Sequence, residues 1–390
     1  MTDAPERGFA MSEFEVRTER AQQLMRDEKI DVMLLTTEPH VRYFSGFLTQ
    51  FWQSPTRPWF LLLPLSGKPI AVIPSIGVAG MQQCWIDDIR SWSSPQPQDD
   101  GISLLLAAIR EIPRRFGRLA MTLGTESYLR MPARDYRHLE TELTEFELAD
   151  CADLMLRLCS VKSSAEIAKI RYVCELASDS FNALPEFARM GQSERDILRA
   201  MRIDLLSRGA DHTPYIVSAS GQGGYGDIIM GPSDRVLEDG DVLIIDTGTI
   251  YDGYYCDFDR NFGFGHASEQ SLRAYETVYR STDAGLATAR PGATTTDIWQ
   301  AMWSVLERGG AQGNDDIGRM GHGLGAQLTE WPSITATDQT PLVPGMVITL
   351  EPGMEFEPGK LMVHEENILI TESGAELLSK RAAAEMPIID

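Results

Sequence analysis

Four carboxylates and one imidazole stand out in the second half of this 390-residue chain. They are Asp246 in IIDTG, Asp257 in YCDFDR, His322 in GHGLG, Glu351 in TLEPG and Glu365 in VHEEN. This mixture of oxygen and nitrogen donors suits two divalent cations, such as Mn, Fe, Co or Zn, that share bridging carboxylates. Such ions lower the pKa of water, so that hydroxide becomes available near neutral pH. The set predicts a hydrolytic metal site, provided that the five side chains converge.

The segment around Asp246 predicts a hairpin that gathers acids on one face. Asp252 and the glycine after it form a strong signal for a two-residue turn. With that turn Asp246 lies opposite Asp259, and Asp257 lies two positions away on the same face. The alternative is a hairpin whose acids are solvated. The apolar run before Asp246 argues against this alternative, because an ionised carboxylate there is costly unless it is paired or bound to metal.

The other three residues also sit in strand-like or glycine-rich segments. His322 lies between glycines, which allow close approach of the backbone. Glu351 ends the apolar run VITL, and KLMVHEENILIT predicts a single strand with Glu365 on one face. His364 and Glu366 then point to the other face, so we expect His364 to be structural or supporting rather than a ligand.

An internal repeat predicts that two of the acids meet. LEDGDVLIIDTG resembles LVPGMVITLEPG, and the helix SERDILRAMRIDLLSRG resembles TTTDIWQAMWSVLERGG at nearly the same offset. Asp246 is the acid of the first copy and Glu351 that of the second. Duplicated halves related by an approximate twofold axis would bring these two acids together at the centre.

The elements ahead of these motifs predict a separate α/β domain over residues 1–158, followed by a catalytic domain over residues 159–390. An amphipathic helix (residues 14–29) precedes the strand DVMLL, the strand-like HVRYFSGF and the short strands WFLLLPL and KPIAVIP. Such alternation is typical of a sheet flanked by helices. A capping box from Ser163 to Glu166 starts the first long helix of the second domain.

Composition narrows the class of protein. The chain is 43% hydrophobic and 24% charged, and it contains no apolar run long enough for a membrane span. The net charge of −22 argues against a nucleic-acid partner. Five scattered cysteines without CxxC spacing, and an N-terminus unlike a signal peptide, favour a cytoplasmic protein with reduced thiols.

The order of the motifs resembles that of the pita-bread metallopeptidases, which include prolidase, Xaa-Pro aminopeptidase and creatinase. HVRYFSGF resembles the creatinase/prolidase N-terminal domain, and RLCSVKSSAEIAKIR resembles the usual entry to the catalytic domain. The resemblance implies an α/β (α+β) fold in which a pita-bread domain with an internal pseudo-twofold follows the N-terminal domain. It also implies a homodimer.

The resemblance further implies a role for each of the five residues. Asp246 and Asp257 would hold one metal. Asp257, His322, Glu351 and Glu365 would hold the second, with Asp257 and Glu365 bridging. Glu351 would also assist deprotonation of the bridging water.

Three positions depart from the family pattern. Ile229 and Thr329 stand where relatives usually carry histidines, and Val363 stands where an arginine is common. An apolar side chain cannot donate a hydrogen bond to a substrate carbonyl. To fill this gap we consider His212 and Asp259 as catalytic residues. For substrate contact we consider a second set, which consists of Tyr225, Thr329, Trp331, Asp227 and, with less support, Trp52.

The sequence therefore predicts a dinuclear metal-dependent hydrolase of an amide bond in a short peptide or small molecule. It would be like an Xaa-Pro peptidase but with a non-standard substrate pocket. A lyase of the dimethylsulfoniopropionate-cleaving type is an alternative, with Asp259 as base and Tyr225 and Trp331 around the sulfonium group. A second alternative is a non-catalytic binding protein on the same fold. The metal and the true substrate stay open.

Overall fold

The computed structural model describes residues 3–311 and 318–390. The chain forms two compact units, Glu6–Cys159 and a second unit made of residues 3–5 and Ser160–Asp390. Both units combine helices and strands, which confirms the mixed α/β class. No helix in the described part of the chain is long and apolar enough to cross a membrane.

The N-terminal unit is built on one six-stranded sheet. Its strands are β1 (Val32–Leu35), β2 (Phe60–Pro64), β3 (Ile70–Pro74), β4 (Asp88–Trp92), β5 (Arg118–Met121) and β6 (Glu147–Asp150). Its helices are α1 (Met11–Asp27), α2 (Glu38–Ser45), α3 (Val78–Met81), α4 (Ile102–Glu111), α5 (Ala133–Glu142) and α6 (Ala152–Ser160), with 3-10 turns at Gln50–Gln53 and Ser75–Gly77. The strand order is β4-β3-β2-β1-β5-β6, antiparallel at β1–β2 and β2–β3 and parallel elsewhere.

Alternate residues of β1 belong to two different hydrophobic cores. Val32 and Leu34 pack in the core that contains the apolar residues of α4 and α5. Met33 and Leu35 pack in the core that contains those of α1, α2 and α6. Because neighbouring side chains of a strand point to opposite faces, helices cover the sheet on both sides.

One predicted element of this unit is wrong. HVRYFSGF was expected to be strand-like, but Glu38–Ser45 is the helix α2. Pro39 lies in the first helical turn, where its fixed φ favours a helix and its missing N–H costs nothing. Gly46 ends the helix in the left-handed conformation at φ 77°. These helix-end signals outweighed the β-branched and aromatic composition of the segment.

The C-terminal unit contains two five-stranded sheets and a separate hairpin. Its helices are α7 (Ser164–Phe187), α8 (Glu194–Arg208), α9 (Glu269–Thr288) and α10 (Thr295–Arg308). Its strands are β7 (His212–Gln222), β8 (Asp241–Tyr251), β9 (Tyr254–Tyr255), β10 (Phe258–Phe264), β11 (His322–Gly323), β12 (Glu330–Ser333), β13 (Val347–Leu350), β14 (Gly353–Glu357), β15 (Lys360–Val363), β16 (Glu366–Thr371), β17 (Gly374–Leu377) and β18 (Ile388–Ile389). The predicted capping box at Ser163 and Glu166 starts α7.

The two sheets have corresponding orders. In the first, β18-β10-β8-β7, the central strand β8 pairs antiparallel with β7 and β10. In the second, β12-β11-β13-β16-β17, the central strand β13 pairs antiparallel with β11 and β16. The helix before each group, α8 or α10, belongs to the repeated sequence. The repeated sequence thus forms a helix and a central strand in each half. The strand β8 contains Asp246, and β13 is directly followed by Glu351.

The hairpin around Asp246 has the predicted register. Asp252 and Gly253 have positive φ values of 47° and 79°, as a two-residue turn of this kind requires. Tyr251 pairs with Tyr254, and further along the ladder Asp246 pairs with Asp259. The turn therefore sets which acids face each other.

The segment KLMVHEENILIT is not the single strand that we predicted. It forms β15 and β16, which pair with β14 and β13 respectively, and His364 and Glu365 lie between them. The chain changes its hydrogen-bonded partner at these two residues. Because Glu365 lies outside both strands, the direction of its side chain does not have to follow their alternation between the two faces of the sheet.

Candidate metal centre

Three of the five predicted residues form a compact buried cluster. One ligand atom from each of Asp257, His322 and Glu365 lies within 4.8 Å of the other two. The side chains are buried, with 4%, 3% and 1% of their residues' surface exposed. Asp257 directly precedes β10, His322 begins β11, and Glu365 directly precedes β16. Ends of strands from both five-stranded sheets therefore supply this cluster.

The imidazole of His322 is in the form that binds metal. Its Nδ1 lies 2.8 Å from the carbonyl oxygen of Gly323, which can only accept, so Nδ1 carries the proton. Nε2 is left with a lone pair, 3.4 Å from Oδ2 of Asp257. Burial, together with the positive charge of Arg319, lowers the pKa of His322 to about 4. The ring is therefore neutral at neutral pH, as a ligand must be.

The glycines on either side of His322 are required by close backbone contacts. A Cβ atom on Gly321, which has φ 127°, would lie 2.3 Å from the carbonyl oxygen of Thr349. A Cβ atom on Gly323 would lie 2.3 Å from the carbonyl oxygen of Trp331. Only glycine permits the strand that carries His322 to approach its two neighbours this closely.

The carboxylates of the centre oppose one another's ionisation. Burial raises the pKa of Asp246 to about 6. Burial, followed by the charge of Asp246, raises the pKa of Glu351 to about 8 and that of Asp257 well above its ordinary value. Burial and the charge of Glu351 do the same for the pKa of Glu365. All four carboxylates can be ionised together at neutral pH only if positive charge lies among them.

The donor atoms fit a divalent cation. Oδ1 of Asp246 and Oε1 of Glu365 are buried and have no hydrogen-bond partner among the described residues. A buried carboxylate oxygen without a partner is costly, and a cation removes that cost. Four carboxylates and a neutral imidazole also match the mixed oxygen and nitrogen donors of Mn, Fe, Co or Zn sites.

Neighbouring side chains hold the cluster in position. The amide of Asn367 bonds both main-chain groups of Asp257, accepting from its N–H at 2.9 Å and donating to its carbonyl oxygen. Arg260 donates to the main-chain carbonyl of Glu365 at 2.9 Å and to the carboxylate of Glu366 at 3.0 Å. Although burial alone would raise the pKa of Glu366, Arg260 and other partners hold it well below its usual range.

Two residues of the centre were missed in the sequence analysis. Burial, followed by the charge of Asp246, raises the pKa of Tyr215 far above its ordinary value. The charge of Arg319 acts on Asp257, His322 and Glu351. Tyr215 lies on β7 beside β8, so a correct strand alignment could have found it. Arg319 precedes GHGLG by two positions, and nothing local marked it.

Tyr225 does not occupy the position expected of a substrate residue. Its side chain is buried, with 1% exposed. Its hydroxyl donates to Oδ1 of Asn261 at 2.9 Å and accepts from the N–H of Val363 at 2.8 Å. Both hydrogen-bonding functions are thus engaged by protein groups, which argues against the predicted contact with substrate. The ring packs in the hydrophobic core of the C-terminal unit.

The other predicted catalytic and substrate-contact residues differ in how far their side chains are buried. His212 is exposed at the start of β7, opposite Ile250. Thr329 is exposed and accepts a hydrogen bond from Arg319 at 3.3 Å, whereas Trp331 is partly buried against the hydrophobic core. Asp227 accepts from the N–H groups of Ile229 and Met230, both at 2.8 Å, and thereby stabilises its own loop.

Two further predicted residues have structural surroundings. His364 is completely buried, with Nε2 3.3 Å from Glu366 and in contact with Arg381, as expected of a supporting residue. Trp52, in the N-terminal unit, is partly buried, with its ring 5.8 Å from that of Trp59 and beneath the guanidinium of Arg130.

Comparison with known proteins gives matches over both units. The model described as metallopeptidase family M24 matches residues 168–372, and that of the creatinase/prolidase N-terminal domain matches residues 17–161. A probable dipeptidase PepE of Mycobacterium tuberculosis is 29% identical, with 81% of each chain covered. An Xaa-Pro dipeptidase of Pyrococcus furiosus is 30% identical over 66% of this chain and 74% of its own. The crystal structure of dipeptidase PepE from Mycobacterium ulcerans superimposes with a TM-score of 0.84, 25% identity and coverage of 98% and 99%.

Proposed function

The chain belongs to metallopeptidase family M24, and on that premise we propose that it uses two divalent metal ions to hydrolyse an amide bond in a short peptide or peptide-like small molecule. The observation that carries the proposal is the buried cluster of Asp257, His322 and Glu365, whose ligand atoms lie within 4.8 Å of one another. The names of its relatives, dipeptidase and Xaa-Pro dipeptidase, support short peptides as the substrate class.

The five residues divide between the two proposed ions. Asp246 and Asp257 would hold the first ion, and Asp257 would bridge to the second. His322, Glu351 and Glu365 would complete the second, with Glu365 as the other bridge. Ions of this kind lower the pKa of water and polarise a carbonyl oxygen when they are bound. Mn, Fe, Co and Zn all accept this donor set.

The protein's own groups would orient the reaction and move its proton. Glu351 is partly buried, and burial raises the pKa of its carboxyl group to about 8. As a general base, Glu351 would accept a proton from the attacking water and pass it to the leaving amine. Tyr215, on the strand beside Asp246, would limit the access of water to that carboxylate. Asn367 and Arg260 would fix the main chain at Asp257 and Glu365.

Recognition of the substrate would differ from that of an ordinary Xaa-Pro peptidase. Ile229 and Val363 carry no hydrogen-bond donor and the hydroxyl of Thr329 is uncharged, so none of the three reproduces a charged or imidazole donor. Ile229 and Thr329 are exposed, whereas the side chain of Val363 is buried. Arg319 stands beside Thr329 and acts electrostatically on Asp257 and Glu351. Its guanidinium is suited to bind the free carboxylate of a dipeptide. Trp331 remains our candidate for an apolar contact, and His212 and Asp259 remain candidates for a catalytic role.

The two alternatives have less support. A lyase that accepts a sulfonium group would need Tyr225 in its aromatic box, but that ring is buried with its hydroxyl engaged. A binding protein without catalysis would not need to keep five ligand residues. We further propose a cytoplasmic homodimer, which light scattering of the purified protein and cell fractionation would test.

A substrate screen tests the proposed function. Metal-free protein is reconstituted separately with Mn, Fe, Co and Zn and incubated with Xaa-Pro dipeptides, other dipeptides, tripeptides, N-acyl amino acids and dimethylsulfoniopropionate. Products are separated by liquid chromatography and mass spectrometry. We expect metal-dependent release of free amino acids from dipeptides, abolished in Glu351→Gln and weakened for dipeptide amides that lack the carboxylate. Release of dimethyl sulfide, or no hydrolysis of any amide with any metal, would contradict the proposal.

A further inference from the structure

A fifth acidic side chain, that of Asp259, lies beside the metal centre. Asp259 pairs directly with Asp246 in the antiparallel ladder between β10 and β8, so both side chains lie on the same face of the sheet. The Cβ atoms of directly opposed residues are about 4.5–5.5 Å apart in such a ladder. Two aspartates at this spacing can therefore bind one cation that lies above the sheet.

The carboxylate of Asp259 shares a distinctive property with two of the predicted ligands. In the described part of the chain, three buried carboxylate oxygens have no hydrogen-bond partner. They are Oδ1 of Asp246, Oδ1 of Asp259 and Oε1 of Glu365. Only 2% of the surface of Asp259 is exposed, so water cannot compensate for the missing partner. The property that indicates metal binding for Asp246 and Glu365 thus applies equally to Asp259.

The neighbouring arginine makes no described hydrogen bond to the carboxylate of Asp259, although its charge acts on that group. Arg260 donates to the main-chain carbonyl of Asp259 at 2.6 Å, but its other described bonds go to the carbonyls of Glu365 and Lys380 and to the carboxylate of Glu366. No salt bridge between Asp259 and Arg260 is found among the described residues. Like charges directly opposite each other in a ladder are destabilising unless a cation lies between them.

The second sheet can be compared at the position that corresponds to the pair of Asp246 and Asp259. There the last pair of the ladder between β13 and β16 is Leu350 with Glu366. The next residues outward are Glu351 and Glu365, both predicted ligands. In the first sheet the residue opposite the central acid Asp246 is Asp259. The first sheet therefore pairs two acids within its ladder, and in the second sheet the two acids are the residues directly beyond the last pair.

We propose that Asp259 is a sixth protein ligand of the metal centre and binds the same cation as Asp246. The inference rests on the proposed function only in requiring the metal centre. Asp259 would add a carboxylate to the first ion, for which the family resemblance implies only Asp246, Asp257 and the bridging Glu365.

Metal binding by variants of Asp259 tests the proposal without recourse to activity. Metal-free wild type, Asp259→Asn and Asp259→Thr are titrated with Mn²⁺ by isothermal calorimetry, and bound metal is counted by mass spectrometry after dialysis. Asp239→Asn is the matched control, because that carboxylate is exposed and pairs with His266. Thermal unfolding of each metal-free protein establishes that it is folded, and Asp259→Thr serves if the Asn variant is not.

We expect both Asp259 variants to bind one ion like the wild type and the other ion at least about tenfold more weakly. The control should bind both ions normally. Two ions bound with wild-type affinity by a folded Asp259→Asn or Asp259→Thr protein would overturn the proposal. This outcome differs from a failure of the proposed function, in which the wild type binds two ions but cleaves no amide.

Discussion

The Nε2 atom of His322 lies 3.4 Å from Oδ2 of Asp257, the separation of two atoms that share one metal ion. Ligands about 2.1 Å from an ion, at a tetrahedral angle, are about 3.4 Å apart. The neutral ring and the acceptor-only carbonyl of Gly323 leave Nε2 free to bind such an ion.

Replacing His322 by alanine should therefore remove a metal ligand and leave the fold intact. We expect affinity for one ion to fall by at least about a hundredfold, since even indirect supporting residues are worth 10- to 100-fold. Calorimetric titration with Mn²⁺ measures the change. His266→Ala is the control, because His266 is exposed and pairs only with Asp239 among its described contacts. Equal metal affinity in the two variants would exclude His322 as a ligand.

As the pH rises, the stability of the metal-free protein should fall and the stabilisation by bound metal should increase. In the metal-free protein the pKa values of Asp246 and Glu351 are raised to about 6 and about 8. The folded state therefore holds these protons more tightly than the unfolded chain. Their contribution to stability is complete below the ordinary carboxyl pKa and is lost as the pH rises through 6 to 8.

Divalent ions replace these protons, so their binding strengthens as the pH rises. We expect the Tm difference between Mn²⁺-loaded and metal-free protein to grow from about pH 5 to about pH 8. Differential scanning calorimetry at several pH values measures it. A Tm difference that is constant or shrinks over this range would show that the carboxylates do not compete for protons and metal.

A buried ion pair anchors the loop that follows His322. Lys162 Nζ lies 2.8 Å from Glu330 Oε2, and both residues are more than nine-tenths buried. Lys162→Met would leave a buried carboxylate without its partner, at a cost of about 3–5 kcal/mol. The double variant Lys162→Met/Glu330→Leu should recover most of that loss. Urea unfolding monitored by circular dichroism compares them, and a double variant as unstable as the single one would contradict the account.

The exposed positions Ile229 and Thr329 allow a gain-of-function test. Both are at the surface, so histidine should be accommodated there without loss of stability. If the missing histidines restrict the substrate range, Ile229→His/Thr329→His should hydrolyse Xaa-Pro dipeptides with kcat/KM about tenfold higher. Ile229→Leu/Thr329→Ser is the matched control. No difference between the two double variants would mean that other residues determine specificity.

Local signals predicted those parts of the site that depend on strand register. The turn at Asp252 and Gly253 and the period of two placed Asp246 opposite Asp259, as observed. The same reasoning treated the strand around Glu365 as continuous, because the sequence does not show where a strand changes its partner.

Features set by long-range packing could not be predicted in this way. Tyr225 lies in a glycine-rich segment typical of a surface loop, yet its hydroxyl is bound between Asn261 and Val363, far along the chain. Arg319 acts on Asp257 and Glu351 through space, and no spacing in the sequence encodes this. At α2 a helix-start proline and a left-handed Gly46 outweighed residues that favour strands.

Metal content and turnover of Asp257→Ala test the central claim most directly, because this residue is proposed to bridge the two ions. Wild type and variant are loaded with Mn²⁺, dialysed, analysed by mass spectrometry for bound metal and assayed with the best dipeptide. The account predicts two ions and hydrolysis for the wild type, and neither a metal pair nor turnover for the variant. Retention of two ions by folded Asp257→Ala protein would contradict it.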